Sequence, residues 1–302
     1  MSNTTDLIKT LDGSLTTLMS KVDVVEKKAY EVVLSKINKL QYKSGRLLQN
    51  TANVKVIGEM KGALNNLLRS PSYISAIKTF GKEYDVVEKI QNDYFSAIVE
   101  DFKPGGAANI TKHTAIRQMV DNLVGGGVNQ AVTENAANIL LRNMQSGSNV
   151  RELTEELRNF MLTTSESAGA LSKYSGQIAT DSINQFAAAY NEQVTEDLGF
   201  EWFQYVGSLR DTSRDFCEAL ISQRYIHKSE FSKAAKGVLR NVTVSTAGMY
   251  KQTNANNLTV LRGGYNCKHQ FRGVATGTVP QSVRDQVEGT QNVFTPAKPG
   301  RG

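Results

Sequence analysis

The sequence has few cysteines, prolines and tryptophans, and it has no long apolar run. Its 302 residues include 2 cysteines, 5 prolines and 1 tryptophan. Two cysteines in a chain of this length cannot build the dense disulfide framework of a small secreted protein. No stretch reaches 18 consecutive apolar residues, and the first residues lack the basic and apolar parts of a signal peptide. We therefore expect synthesis in a reducing cytoplasm, with no membrane-spanning segment and no signal peptide.

Common catalytic and nucleotide-binding signatures are also missing. The sequence contains no G-x-x-x-x-G-K-[ST], no G-x-S-x-G, no H-E-x-x-H and no G-x-G-x-x-G. A cysteine nucleophile is the alternative, with Cys217 beside His227 or His269, but these positions match no spacing shared by cysteine enzymes. The sequence therefore predicts a protein that is not an enzyme.

Positive charge is concentrated in the last third of the chain. The whole sequence has 35 basic and 29 acidic residues, whereas residues 201–302 have 14 and 7. Aromatic residues are interleaved with these basic ones, which is typical of a phosphate-binding surface. The scattered charges favour the alternative of a solvated surface or an acidic protein partner. The candidate residues for nucleic-acid or partner contact are Lys233, Lys236, Arg240, Arg262, Lys268 and Arg272.

Helical periodicity dominates the first two thirds. Apolar residues recur three and four apart from Ile8 to Ala29, which predicts one long helix to about Gln49. Ser70 and Pro71 predict the start of a second long helix, which runs to the break at Pro104. Further helices are predicted over 128–144, from about 149, and over 171–197. The run Val124-Gly125-Gly126-Gly127, with its three glycines, predicts a flexible turn and an interior boundary.

The pattern changes after Gly199. An aromatic run, 200–206, predicts a strand; a short helix follows, and 258–261 and 271–275 are candidate small strands. The overall prediction is a mainly α fold, with long N-terminal helices and a helical middle region followed by a small α+β C-terminal module. The predicted regions are 1–104 (long helices), 105–277 (helical over 105–199, α+β over 200–277) and 278–302 (an extended or disordered tail).

Both cysteines and two of the three histidines lie in the predicted α+β module. If Cys267 and His269 lie on a strand, they project from one face and could share a metal ion such as zinc. Cys217 could be a third ligand, and Asp215 or His227 a fourth. The spacing is wider than that of most structural zinc sites. Two alternatives stay open, namely a cysteine pair that is merely packed together and three unrelated positions.

Three ordered elements of the sequence resemble the Mu F-like phage head-morphogenesis family. They are the helix 171–183, the aromatic run 200–208, and Arg214-Asp215-Phe216-Cys217, which fits an Arg-x-x-Cys element of that family. The family often closes with His-Pro-x-Cys-Arg-Cys. Here Cys267 and Lys268 match the first cysteine and the arginine, His269 stands where the second cysteine would be, and Gly264-Tyr265 replace His-Pro. The resemblance covers about residues 107–275.

This resemblance implies a minor capsid protein that associates with the portal and with major capsid or inner head proteins during head assembly. It implies synthesis in the host bacterial cytoplasm and a place in the virion, inside the capsid near the portal. Some relatives are thought to touch packaged DNA. The alternative is therefore a nucleic-acid-binding internal virion protein that is ejected with the genome.

Overall fold

The structure is a computed structural model that describes residues 2–240, 242–265 and 267–292. It is 65% helical and 8% strand, which confirms the predicted mainly α class with small strands near the C-terminus. The chain forms two compact units. Among the described residues, unit N comprises 5–90 and 112–183, and unit C comprises 2–4, 91–111, 184–240, 242–265 and 267–292. Both units draw on separate stretches of sequence, whereas the predicted regions were consecutive.

The first helix is shorter than predicted. Helix α1 spans Ser2–Ile37 and is followed by a hairpin of β1 (Tyr42–Lys43) and β2 (Arg46–Leu47). Ser44 and Gly45 have φ of 51° and 75°, as a tight hairpin turn requires. The predicted extension to Gln49 is therefore wrong, because the Ser-Gly turn reverses the chain.

The second predicted long helix is divided. The segment from Ser70 forms two helices, α3 (Pro71–Gly81) and α4 (Glu83–Ser96). Helix α2 (Thr51–Leu68) precedes them. Pro71 occupies the first turn of α3, as predicted. Gly81 ends α3, and a glycine is a poor residue for continuing a helix. The apolar periodicity continues through this break, so it could not reveal the division.

Helices also fill the middle of the chain, and the glycine run interrupts them only briefly. Gly125 departs from helical geometry, with φ −112° and ψ −125°, and a helical turn resumes at Gly126. The elements are α5 (Gly106–Val124), α6 (Gly126–Val128), a π-helical turn (Asn129–Glu134), α7 (Asn135–Ser146), α8 (Val150–Met161) and α9 (Ala170–Asp197). The last of these confirms the predicted helix at 171–197.

Unit N contains a large apolar core and one deeply buried carboxylate. The core joins residues of α1, α2, α7 and α8, among them Val33, Met60, Leu140 and Leu157. Glu26 is 1% exposed. One of its oxygens accepts a hydrogen bond from the backbone N–H of Thr163 (2.7 Å), and the other accepts one from Ser172 (2.9 Å). This carboxylate therefore ties α1 to both ends of the connection between α8 and α9.

Short elements make up most of unit C after α9. They are β3 (Trp202–Val206), α10 (Asp215–Gln223), β4 (Tyr225–His227), a 3₁₀ turn (Lys228–Glu230), α11 (Phe231–Ala234), β5 (Val238–Leu239), β6 (Val242–Thr243), α12 (Leu258–Leu261), β7 (Gln270–Val274), a 3₁₀ turn (Thr276–Thr278) and α13 (Gln281–Asn292). Strands β3 and β7 match the predicted strands at 200–206 and 271–275. The predicted strand at 258–261 is wrong, because this segment is a helical turn. Residues 281–292 of the predicted extended tail are helical, and 293–302 lie outside the described residues.

The central sheet of unit C has the order β4-β3-β7, and both pairings are antiparallel. Its register places Tyr205 opposite Phe271 and Trp202 opposite Val274. One face carries Phe203, Tyr205 and Phe271 into the core of α10 and α11, while the other packs Trp202 and Val274 against α13. None of the helices that the structure describes is long and apolar enough to cross a membrane.

Candidate metal centre

The cluster of Cys217, Cys267 and His269 is built from three parts of unit C. Cys217 lies in the first turns of α10, and Cys267 and His269 lie in the segment that leads directly into β7. Cys267 and His269 therefore lie just before the strand and not on it, although a position on the strand was the condition under which the sequence predicted that they project from one face. The third part is strand β3, whose Tyr205 lies on the same face of the sheet as Phe271. Pairing of β3 with β7 brings the segment before β7 to α10.

The metal-ligating atoms of the three side chains lie close together. The sulfur atoms of Cys217 and Cys267 are 3.9 Å apart, and Cys267 Sγ is 3.8 Å from His269 Nδ1. All three ligand atoms lie within 4.8 Å of one another. The cysteines are free thiols. This group could hold a metal ion, as the sequence predicted for these three residues.

Burial separates the cluster from bulk water. Cys217, Cys267 and His269 are 2%, 3% and 6% exposed. The second imidazole nitrogen of His269, Nε2, is also buried and has no hydrogen-bond partner among the residues that the structure describes. A substrate could not reach either thiol without displacing this packing, so the geometry gives no support to the cysteine-nucleophile alternative.

Tyr205 is a fourth polar group at the cluster, which the sequence analysis did not single out. Its hydroxyl lies 3.4 Å from Cys217 Sγ and 3.8 Å from Cys267 Sγ. The phenol ring stacks on the His269 imidazole, with 5.5 Å between ring centroids and 11° between planes. The only sign of Tyr205 in the sequence is its spacing of two from Phe203, which places both on one face of a strand. That spacing indicates that Tyr205 is buried, but not that it contacts the cysteines.

Electrostatics distinguish the two thiols, whose pKa values shift in opposite directions. A hydrogen bond between the Cys217 thiol and Cys267 sulfur raises the pKa of Cys217, and burial raises it further. The same bond holds the pKa of Cys267 well below its ordinary value, with further lowering by His269 and Arg262 against the opposing effect of burial. Cys267 is therefore the thiol of the pair that loses its proton more readily, and a thiolate is the form that binds metal ions.

Two glycines make room for the cluster. A Cβ on Gly263 would overlap Cys217 Sγ and lie 3.1 Å from Cys267 Sγ. Gly207, just after β3, has φ of 146°, and a Cβ there would overlap the His269 ring. Residues with side chains at either position would displace the donor atoms.

The two candidates for a fourth ligand lie elsewhere. His227 ends β4, where its ring packs edge-on against Trp202 and its Nδ1 is 2.8 Å from Ser229 Oγ. Trp202 is on the sheet face opposite the cluster, so His227 is on the wrong side. Asp215 opens α10 but does not belong to the metal-competent group found among the described residues.

The six predicted contact residues do not form one exposed basic surface. Arg262 and Arg272 are 0% and 4% exposed. The Arg272 guanidinium lies 4.7 Å from the centre of the Tyr94 ring. Both arginines are therefore core residues of unit C. Because they are buried, they are not available for the predicted contact with a nucleic acid or a protein partner.

The other four differ in availability. Arg240 makes a two-pronged ion pair with Glu230, with N–O distances of 2.8 and 3.0 Å, and only 10% of its side chain is exposed. Lys233 and Lys236 are exposed, and Lys268 is half-buried. Of the six candidates, only two are therefore exposed and able to contact a phosphate or an acidic protein surface. They are Lys233 in α11 and Lys236 just after this helix.

Comparison of the chain with protein-family models, with curated proteins and with solved structures found no match.

Proposed function

We propose that this chain is a phage minor head protein that acts by binding during head assembly, and that a metal ion holds its C-terminal module together. The observation that carries the proposal is the meeting of two short motifs. Arg214-x-x-Cys217 and Cys267-x-His269 are the two short motifs among the elements that resemble the Mu F-like family. The two cysteines are 50 residues apart in sequence, and their sulfur atoms are 3.9 Å apart.

Zinc is the ion that we propose for the centre. Thiolate and imidazole donors suit zinc, and structural zinc sites are closed and surrounded by protein. A tetrahedral zinc with Zn–S distances of about 2.3 Å separates two sulfur ligands by about 3.8 Å. The observed separation of 3.9 Å is close to this value. Deep burial of the three donors supports a structural role for the ion instead of a catalytic one.

The proposed biological role follows the resemblance. The protein would be made in the cytoplasm of the infected bacterium and would enter the capsid interior near the portal. Its partners would be the portal protein and major capsid or inner head proteins. The alternative of a DNA-binding protein ejected with the genome receives less support, because three of its six candidate basic residues are buried or ion-paired.

Copurification with a tagged portal protein from infected cells tests this role, followed by quantitation of both proteins in mature particles. We expect the chain to copurify and to be present in a few copies per particle. Its absence from procapsids and mature particles would contradict the proposal. Presence in particles without portal association, together with salt-sensitive DNA binding, would favour the alternative.

A further inference from the structure

We infer that Tyr205 is the fourth ligand of the metal centre, so that two thiolates, one imidazole and one phenolate enclose the ion. The inference rests on the metal centre proposed above and assigns the position that Cys217, Cys267 and His269 leave open. The sequence had offered Asp215 or His227 for this position, and the structure places neither with the other three.

Four of the six separations among the four donor atoms are close to those of a tetrahedral site. With metal–sulfur distances of about 2.3 Å and metal–nitrogen or metal–oxygen distances of about 2.0–2.1 Å, tetrahedral ligands lie roughly 3.4–3.8 Å apart. The Tyr205 hydroxyl lies 3.4 and 3.8 Å from the two sulfur atoms. The sulfur–sulfur and Cys267 Sγ–His269 Nδ1 distances are 3.9 and 3.8 Å. Tyr205 Oη thus lies near enough to both sulfur atoms to form a further corner of the coordination shell.

The surroundings of Tyr205 keep its hydroxyl at this corner. The residue is 2% exposed, and the two cysteine sulfurs are the hydrogen-bond partners of its hydroxyl. Its ring is fixed between the His269 imidazole and Phe271, whose ring centroid is 4.7 Å away. This packing holds the hydroxyl close to both sulfur atoms.

Charge balance also favours an anionic fourth ligand. A divalent ion with two thiolates, a neutral imidazole and a water has no net charge, whereas a phenolate in place of water gives −1. Arg262 is fully buried, acts electrostatically on Cys267, and has no acidic partner within the described parts of the chain. A buried guanidinium is strongly disfavoured without a negative partner. A centre with net negative charge supplies one.

The competing arrangement keeps Tyr205 outside the coordination shell. Its hydroxyl would then donate a hydrogen bond to a thiolate, and a water molecule would complete the coordination of the metal. The two arrangements differ in one property that can be measured. An open position exchanges its water for a small anion, whereas a position held by phenolate does not.

Cobalt(II) is the probe for this difference, because its visible spectrum reports the ligands of a tetrahedral site. The full chain is loaded with Co²⁺ as wild type, as Tyr205→Phe and as Tyr225→Phe. The last is the control, since Tyr225 lies on the neighbouring strand β4 and packs in the core of the opposite sheet face. Azide is then added to each protein, and Co²⁺ affinity is measured by competition with a chelator.

We expect azide to leave the spectra of wild type and Tyr225→Phe unchanged and to shift that of Tyr205→Phe. Co²⁺ affinity of Tyr205→Phe should fall at least about tenfold, since even residues that only support a ligand are worth about 10- to 100-fold. An azide shift in wild type, or equal affinities for wild type and Tyr205→Phe, would overturn the assignment of Tyr205 and leave the three-residue centre standing. Failure of the wild type to bind Co²⁺ would overturn both.

A measurement on the wild type alone covers the case in which Tyr205→Phe does not fold. Zinc is added to the metal-free protein at neutral pH, and the ultraviolet difference spectrum is recorded. A tyrosinate band that saturates with the metal is the expected result. Zinc binding without a tyrosinate band would contradict phenolate ligation.

Discussion

Gly263 lies against both sulfur atoms of the metal-binding cluster, and its lack of a side chain makes room for them. Its φ is outside the left-handed region, so alanine would be hindered by space alone. Overpacking of a core costs typically about 1–3 kcal/mol. We therefore expect Gly263→Ala to lower the free energy of unfolding by about this amount and to weaken zinc binding, as measured by urea denaturation and by chelator competition.

The matched control for this substitution is Gly277→Ala. Gly277 belongs to the same unit, and an added Cβ there would have no atom within 4 Å. The control should retain wild-type stability and zinc affinity. Wild-type behaviour of Gly263→Ala would show that the sulfur atoms are not confined as the structure places them.

Tyr73 should make the stability of unit N fall at alkaline pH. The residue is fully buried, and its hydroxyl donates a hydrogen bond to the backbone oxygen of Leu123 (3.1 Å). Burial raises the pKa of Tyr73 from an ordinary 10 to about 12. The folded state therefore favours the neutral phenol, and its contribution is complete below pH 10 and is lost as pH rises toward 12. Between pH 9 and 11 the loss is about 1–1.5 kcal/mol.

Urea denaturation of wild type and Tyr73→Phe at pH 9 and pH 11 isolates this contribution. Other groups titrate equally in both proteins, so the difference between their pH slopes belongs to Tyr73. We expect the wild type to lose about 1–1.5 kcal/mol more than the variant between the two pH values. Equal slopes would show that the Tyr73 pKa is not raised by folding.

At the scale of elements, the start of α8 is fixed by a reciprocal pair of hydrogen bonds. The Asn149 side chain accepts from the Glu152 backbone N–H (2.9 Å), and the Glu152 side chain accepts from the Asn149 N–H (3.2 Å). Loss of such a cap costs about 0.5–2 kcal/mol. We expect Asn149→Ala to lower the free energy of unfolding by this amount, as measured by urea denaturation.

Ser148→Ala is the comparison for the cap. Ser148 directly precedes the cap residue, but its hydroxyl is hydrogen-bonded to that of Ser146 (2.8 Å) and not to the helix start. Ser148→Ala should therefore cost less than Asn149→Ala. The reverse order would place the start of α8 one residue earlier than the structure does.

Several helices of this fold could be predicted from the sequence, because apolar residues repeat at helical spacing through α1, α3, α4 and α9. Their ends could not all be predicted from that spacing. The stripe of α1 continues to Leu40, which is 7% exposed, although the helix ends at Ile37. Leu40 packs in the same core after the chain has left the helix. A residue can therefore continue the buried apolar stripe after the helix has ended. The spacing of apolar residues indicates which residues are buried, but it does not show where a helix ends.

The candidate site could be predicted in part for a similar reason. Cysteine and histidine are conspicuous in sequence, so Cys217, Cys267 and His269 were identifiable as a group. Tyr205 was not, because its contact with Cys267 depends on the pairing of strands more than 60 residues apart. The burial of Arg262 was hidden as well, since positive charge in a polar stretch indicates solvent exposure.

At the scale of the whole molecule, the metal centre should stabilise one unit and not the other. All four donor residues belong to unit C, whereas the apolar core around Val33 and Leu140 belongs to unit N. We expect removal of zinc by a chelator to speed amide hydrogen exchange in β3, α10 and β7 and to leave α2 and α7 unchanged. Exchange followed by mass spectrometry measures both sets in one experiment. Equal acceleration in the two units would contradict a local role.

The zinc content of the purified chain is the most direct test of the metal centre. Elemental mass spectrometry should find one zinc ion per chain in the wild type and almost none in the double variant Cys217→Ser/Cys267→Ser. The variant should also unfold at a lower temperature than the wild type. A wild-type protein that retains no stoichiometric metal after purification with zinc present, and that matches the double variant in thermal stability, would contradict the account.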